Sequence, residues 1–125
     1  MIDVKDLIGK PYTKEHDCNW LAAIVALRAG KGFPKDLVTP EDEAMWAQKF
    51  RDVLAKHYTK VTVPKEGDLA IFEVPYPRGG TGWHCGTIVK PGVMVTTRES
   101  VGVHLAKLTS VMWRVCIKGY YEYNA

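Results

Sequence analysis

Between Asp17 and Leu27 the chain reads Asp-Cys-Asn-Trp-Leu-Ala-Ala-Ile-Val-Ala-Leu, with no further charge until Arg28. Asp17 suits a helix N-cap, because its carboxylate can accept bonds from the unpaired amides of a first turn. Apolar residues then occur on every side of the helix, and Asn19 is the one polar residue among them. A helix of that kind must be covered on most of its surface, so the remaining chain has to supply a broad apolar layer. Gly30 provides the stop, since glycine adopts the left-handed conformation a helix end requires. Cys18 therefore sits at the positive end of a buried helix, where a thiolate is favoured. Two readings are open for it: a small apolar core residue, or an activated nucleophile.

The covering layer comes from the second half of the chain. Thr39-Pro40 predicts the start of another helix, with Pro at its first position and Glu41, Asp42 and Glu43 favoured by the dipole. Trp46, Phe50, Val53, Leu54 and His57 form its stripe. From Lys60 the period becomes two. Val61, Val63 and Leu69–Phe72 are β-type, with residues 64–68 as the turn between them. A Pro/Gly-rich loop covers residues 75–82, and strands are expected at His84–Val89, Val93–Arg98, Val101–Leu105 and Trp113–Tyr121. Ile2–Ile8 is expected to be a short helix ended by Gly9. Helices first and antiparallel strands second predict an α+β fold, with N-terminal helices packed on one face of a C-terminal antiparallel sheet. At 125 residues one domain spanning residues 1–125 is expected, and no repeat or linker divides it.

Composition narrows the function classes. The net charge is +3, with no Lys/Arg cluster, which gives nucleic-acid binding no electrostatic support. No apolar run approaches the ~18–20 residues that span a bilayer, so no membrane partner is expected. The charged start, Met1 to Asp6, does not read as a signal peptide, and synthesis in the cytoplasm is expected. Three cysteines in no framework spacing point to free thiols.

A cysteine nucleophile needs a base from elsewhere in the fold. Of the four histidines, His16 lies in the loop entering the helix, His57 closes an amphipathic stripe, and His104 faces away from Val101, Val103 and Leu105. His84 opens a strand after a glycine-rich loop, where it can reach a helix N-terminus packed across the sheet. Cys85 alternates to the opposite side from His84, and Cys116 lies between Val115 and Ile117 in the last strand. Both read as packing residues. A zinc site from Cys18, His84, Cys85 and His104 finds no support in ligand spacing, and no cofactor or metal is expected.

In that order the motifs resemble the NlpC/P60 family of papain-like cysteine peptidases, and within it a bacteriophage tail-protein branch. The resemblance runs from Leu7 to Tyr123. It rests on Gly9-Lys10-Pro11-Tyr12 ahead of Asp17-Cys18, on residues 64–72, on His84-Cys85-Gly86-Thr87-Ile88-Val89, on Val101-Gly102-Val103, and on the closing residues 113–121. It implies a papain-like fold with Cys18 as nucleophile and His84 as general base. It further implies Thr96 at the third catalytic position, with Tyr12 and Trp20 beside the substrate. The implied activity is hydrolysis of peptide bonds in peptidoglycan stem peptides, in a phage-tail setting with other tail proteins as partners and the virion tail as a location.

Two positions depart from that pattern. Cys18-Asn19-Trp20 stands where the family carries Cys-Ser-Gly or Cys-Trp-Gly, which brings a bulky ring near the nucleophile. Thr96 stands where His, Asn or Gln is usual; it can hydrogen-bond an imidazole but carries no charge, and His104 is the alternative partner. The second expectation is accordingly a structural or assembly tail protein that keeps the fold with little or no hydrolysis.

Overall fold

The computed structural model describes residues 1–34, 43–75 and 79–124, with the backbone alone for 43–47. It is α+β. Helices α1 (Cys18–Arg28) and α2 (Glu43–His57) precede strands β1 (Tyr58–Val61), β2 (Leu69–Pro75), β3 (Thr81–Lys90), β4 (Val93–Arg98) and β5 (Gly102–Lys107). A third helix, α3 (Val111–Cys116), leads into β6 (Ile117–Tyr123). The six strands form one sheet in the order β1-β6-β2-β3-β4-β5, antiparallel at each junction. The last strand thus inserts between the first two.

Side-chain alternation sorts the core into two layers. Leu69, Ile71 and Cys85 face a cluster with Cys18, Ala22, Phe50, Val53, Leu54 and Tyr58. Val89, Val95 and Val103 continue that face against Leu21 and Val25, together with Val4 and Leu7 of the N-terminal segment. Ala70, Phe72, Ile88 and Met94 point to the other face, onto Trp113 of α3. The two long helices cover one face, as the apolar girth of α1 demands, and α3 packs on the reverse.

The ends of α1 follow local chemistry. Asp17 has extended backbone and its carboxylate accepts from the amides of Asn19 and Trp20, each at 3.0 Å. At the other end Gly30 has φ +72°. The Gly30 amide donates to Leu27 at 3.1 Å and the Lys31 amide to Ala26 at 2.9 Å. That paired closure of the last carbonyls is the Schellman arrangement.

Several expected elements take another form. Ile2–Ile8 makes a turn rather than a helix: Leu7 and Ile8 donate to Val4, while the Ile2 amide is drawn off to Val89 at 3.0 Å. So short a segment cannot offset the cost of helix nucleation, and sheet contacts take its backbone groups. Val63 lies beyond β1 and is exposed. β3 begins at Thr81, because Thr81, Gly82 and Trp83 pair with Pro75, Val74 and Glu73; His84 is its fourth residue, not its first. Residues 113–116 are helical, which leaves Val111, Met112 and Val115 exposed and Trp113 buried. Cys116 consequently ends a helix. The helix start at Thr39-Pro40 and the Trp46 side chain lie outside the described residues.

Candidate active site

The site forms where the sheet splits. β3 and β4 are paired at Lys90/Val93, Ile88/Met94 and Thr87/Val95, and no pair is formed beyond Thr87 toward His84. From there β3 stays with β2, His84 opposite Phe72, while β4 stays with β5, Thr96 opposite His104. Strand alternation puts His84 and Thr96 on the Trp113 side, and Cys18 with Cys85 on the helix side. The parting of the strands lets the two sides meet.

Thr96 bridges the gap. Its hydroxyl donates to the Cys85 carbonyl at 2.9 Å, replacing a ladder bond that the split removes. A hydroxyl has one proton, so its 2.6 Å contact with His84 Nε2 is one in which the imidazole N–H donates and Thr96 accepts. That assigns the tautomer of a neutral His84: Nε2 carries the proton and Nδ1 keeps its lone pair. The Thr96 side chain is fully buried, so the bond is shielded from water. His104 instead turns Nδ1 to the Gly102 carbonyl at 2.8 Å and is not the partner of His84.

Cys18 is 9% exposed, as is His84. Its thiol is held well below the ordinary range, first by a hydrogen bond from the Cys85 thiol, then by the hydrogen bond and charge of His84. Burial and the Asp17 carboxylate act in the opposite sense. The Cys85 thiol is pushed well up by the adjacent Cys18 sulfur and by burial. Of the pair, Cys18 is the one that ionises: it has the imidazole and the helix N-terminus beside it, whereas Cys85 is 1% exposed and faces the negative charges of Cys18 and Asp17. The Cys85 Sγ also lies 3.5 Å from the Cys18 carbonyl and 3.9 Å from Asn19 Oδ1.

The amides of the first turn are unequally used. Asn19 and Trp20 donate to the Asp17 carboxylate, and Leu21 to the Asp17 carbonyl at 3.1 Å. Among the described residues the Cys18 amide has no acceptor, and it stands at the positive end of α1, available to an oxygen that gains charge.

The other two predicted residues lie differently. Trp20 is half-buried, stacks on His16 with ring centroids 4.4 Å apart, and packs against the Val4/Leu7/Leu21 cluster. That is not the cluster which holds Cys18. Tyr12 is half-buried. It follows a segment tied to β5 by the Gly9 amide on the Val103 carbonyl and the Val103 amide on the Lys10 carbonyl, both 2.9 Å.

Two neighbours of the site escaped the sequence reading. Alternation sets Cys85 on the side opposite His84 and in the core, as the structure has it, but it does not show that the same placement brings its thiol against Cys18. Trp113 reads as part of a strand in the sequence; Ser110 ahead of it and the apolar 113/116 spacing are the helix signals available. Among the described residues no group of three or more His, Cys, Asp or Glu side chains is placed to hold a metal ion. No helix among them is long and apolar enough to cross a membrane.

Comparison with known proteins adds the fold. No family model matches the sequence, and no curated protein matches it. Among solved structures, the chain is similar to a Staphylococcus aureus crystal structure described as similar to lipoprotein, of the NLP/P60 family. The TM-score is 0.58 at 18% identity, over 94% of this chain and 36% of that one. The chain thus spans little more than a third of that protein, and the likeness is one of fold.

Proposed function

We propose that this chain is a cysteine peptidase that hydrolyses peptide bonds in peptidoglycan stem peptides. The observation that carries the proposal is the Cys18 thiol at the N-terminus of α1, beside an imidazole whose far nitrogen is held by Thr96. The fold likeness to an NLP/P60 protein supports the same reading, and the choice of wall peptides rests on the motif resemblance in the sequence. A phage-tail setting rests on the resemblance of residues 101–103 and of the closing residues 113–121 alone.

The chemistry follows from the placement of protons. His84 Nδ1 takes the proton of Cys18, and the thiolate attacks the substrate carbonyl. The Cys18 amide faces the resulting oxyanion. The imidazolium gives its proton to the leaving amine, which breaks the C–N bond and leaves a thioester on Cys18. His84 then removes a proton from water, whose attack releases the acid and restores the thiol.

A second reading, a tail component that keeps the fold without turnover, draws on the low exposure of both Cys18 and His84. One experiment separates the two. Purified muropeptides incubated with the wild type should release new amino groups, and Cys18→Ala should release none. Equal traces for the two proteins would favour the structural reading.

A further inference from the structure

We propose that Trp113 is a positioning residue for His84: its indole fixes the plane of the imidazole and keeps water from the His84–Thr96 bond. The inference rests on His84 being the base of the proposed site. The hydrogen bond at Nε2 anchors one atom of the ring and, even with the Cys18 thiol beside the imidazole, leaves the ring free to tilt about the line between them. The side chain that makes the bond, Thr96, is short and uncharged, so it offers no second contact. A flat apolar surface against the imidazole removes that freedom.

Trp113 supplies such a surface. Its ring centroid lies 5.4 Å from that of His84 with 20° between the planes, and its side chain is 4% exposed. The indole is itself held on two sides. Phe72, paired with His84 across β2 and β3, meets it edge-on at 4.8 Å. The Arg98 guanidinium lies 5.6 Å from the ring centroid, with Arg98 Nη1 3.4 Å from the Met112 sulfur. Aromatic contacts of this kind favour defined relative orientations. The turn of helix at residues 111–116 has an evident use, since it carries Trp113 beneath the sheet at the level of the split.

The test reads the imidazole directly, by NMR of protein labelled with 15N-histidine. In the wild type His84 should show one tautomer, protonated at Nε2, with an N–H that exchanges with water more slowly than that of exposed His16. Trp113→Leu should mix the tautomers and speed exchange roughly tenfold, the equivalent of one lost aromatic contact, and Trp113→Phe should restore most of the wild-type behaviour. A folded Trp113→Leu protein with unchanged tautomer and exchange would overturn the proposal. If that variant does not fold, the wild type still decides: a His84 N–H exchanging as fast as that of His16 would overturn it equally. Peptide hydrolysis does not enter these readouts. An inactive wild type with a shielded, single-tautomer His84 would count against the peptidase and leave the role of Trp113 standing.

Discussion

His84 and Thr96 are joined across the split between β3 and β4 by a 2.6 Å contact from imidazole Nε2 to the threonine hydroxyl. The hydroxyl is simultaneously spent on the Cys85 carbonyl, so it acts toward the imidazole purely as an acceptor. An uncharged threonine can in this way set the tautomer of a base, although it cannot stabilise an imidazolium as an anion would.

Removing that hydroxyl should be costly in two respects. Thr96→Val leaves the His84 N–H and the Cys85 carbonyl unpaired in a buried site, at about 1–3 kcal/mol of stability. It should also reduce peptide turnover on the order of tenfold or more, out of the factor of about 10²–10⁴ that a positioned base supplies. Thr96→Ser keeps the hydroxyl and should retain most of both. Denaturant melts and muropeptide turnover check this, and wild-type turnover in Thr96→Val would show that Thr96 does not orient His84.

Asp17 serves the helix and opposes the thiolate, and the two roles are separable. Asn caps about as well as Asp, so Asp17→Asn should change stability little. Loss of the negative charge removes an influence that raises the Cys18 pKa, so the alkylation profile of Cys18 should move to lower pH. Asp17→Ala should shift the profile likewise but cost about 1 kcal/mol of stability. A profile moving to higher pH in Asp17→Asn would contradict this sign.

Tyr58 predicts the behaviour in alkali. Burial, with lesser contributions from Cys85 and Tyr123, raises its phenol well above the ordinary value of 10.0. Above that ordinary value the unfolded chain loses the phenol proton while the folded chain keeps it. The unfolded state then binds fewer protons, so stability falls as pH rises. The melting temperature should therefore drop more steeply above about pH 10 in the wild type than in Tyr58→Phe. Parallel curves for the two proteins would show that Tyr58 is not protected.

How much of this was legible beforehand depends on how local the cause is. The capped start of α1, its glycine stop and the switch to a two-residue period are written in neighbouring residues, and the helices-then-sheet order follows from them. The split between β3 and β4 is not local. Alternation puts Cys85 on the helix side with Cys18 and His84 on the other face, so the influence of His84 on Cys18 cannot be read from alternation. Trp113 was hidden for a related reason: an apolar run of six or seven residues fits a strand as well as a short helix until the opposite face of the sheet is known to need covering. Trp20 shows what bulk alone leaves open: a large ring near the nucleophile is legible in the sequence, but its stack on His16 and its contact with the N-terminal segment are not.

The central claim is that Cys18, and neither of the other two cysteines, is an activated thiol. The most direct measurement is the rate of alkylation by iodoacetamide of the native protein across pH, with each cysteine followed by peptide mapping. Cys18 should react well below the pH at which an ordinary thiol ionises, about 8.5, while Cys85 stays unreactive until the protein unfolds. His84→Ala should move the Cys18 profile up toward that of a free thiol. A wild-type Cys18 that titrates like half-exposed Cys116, unaffected by loss of His84, would contradict the account.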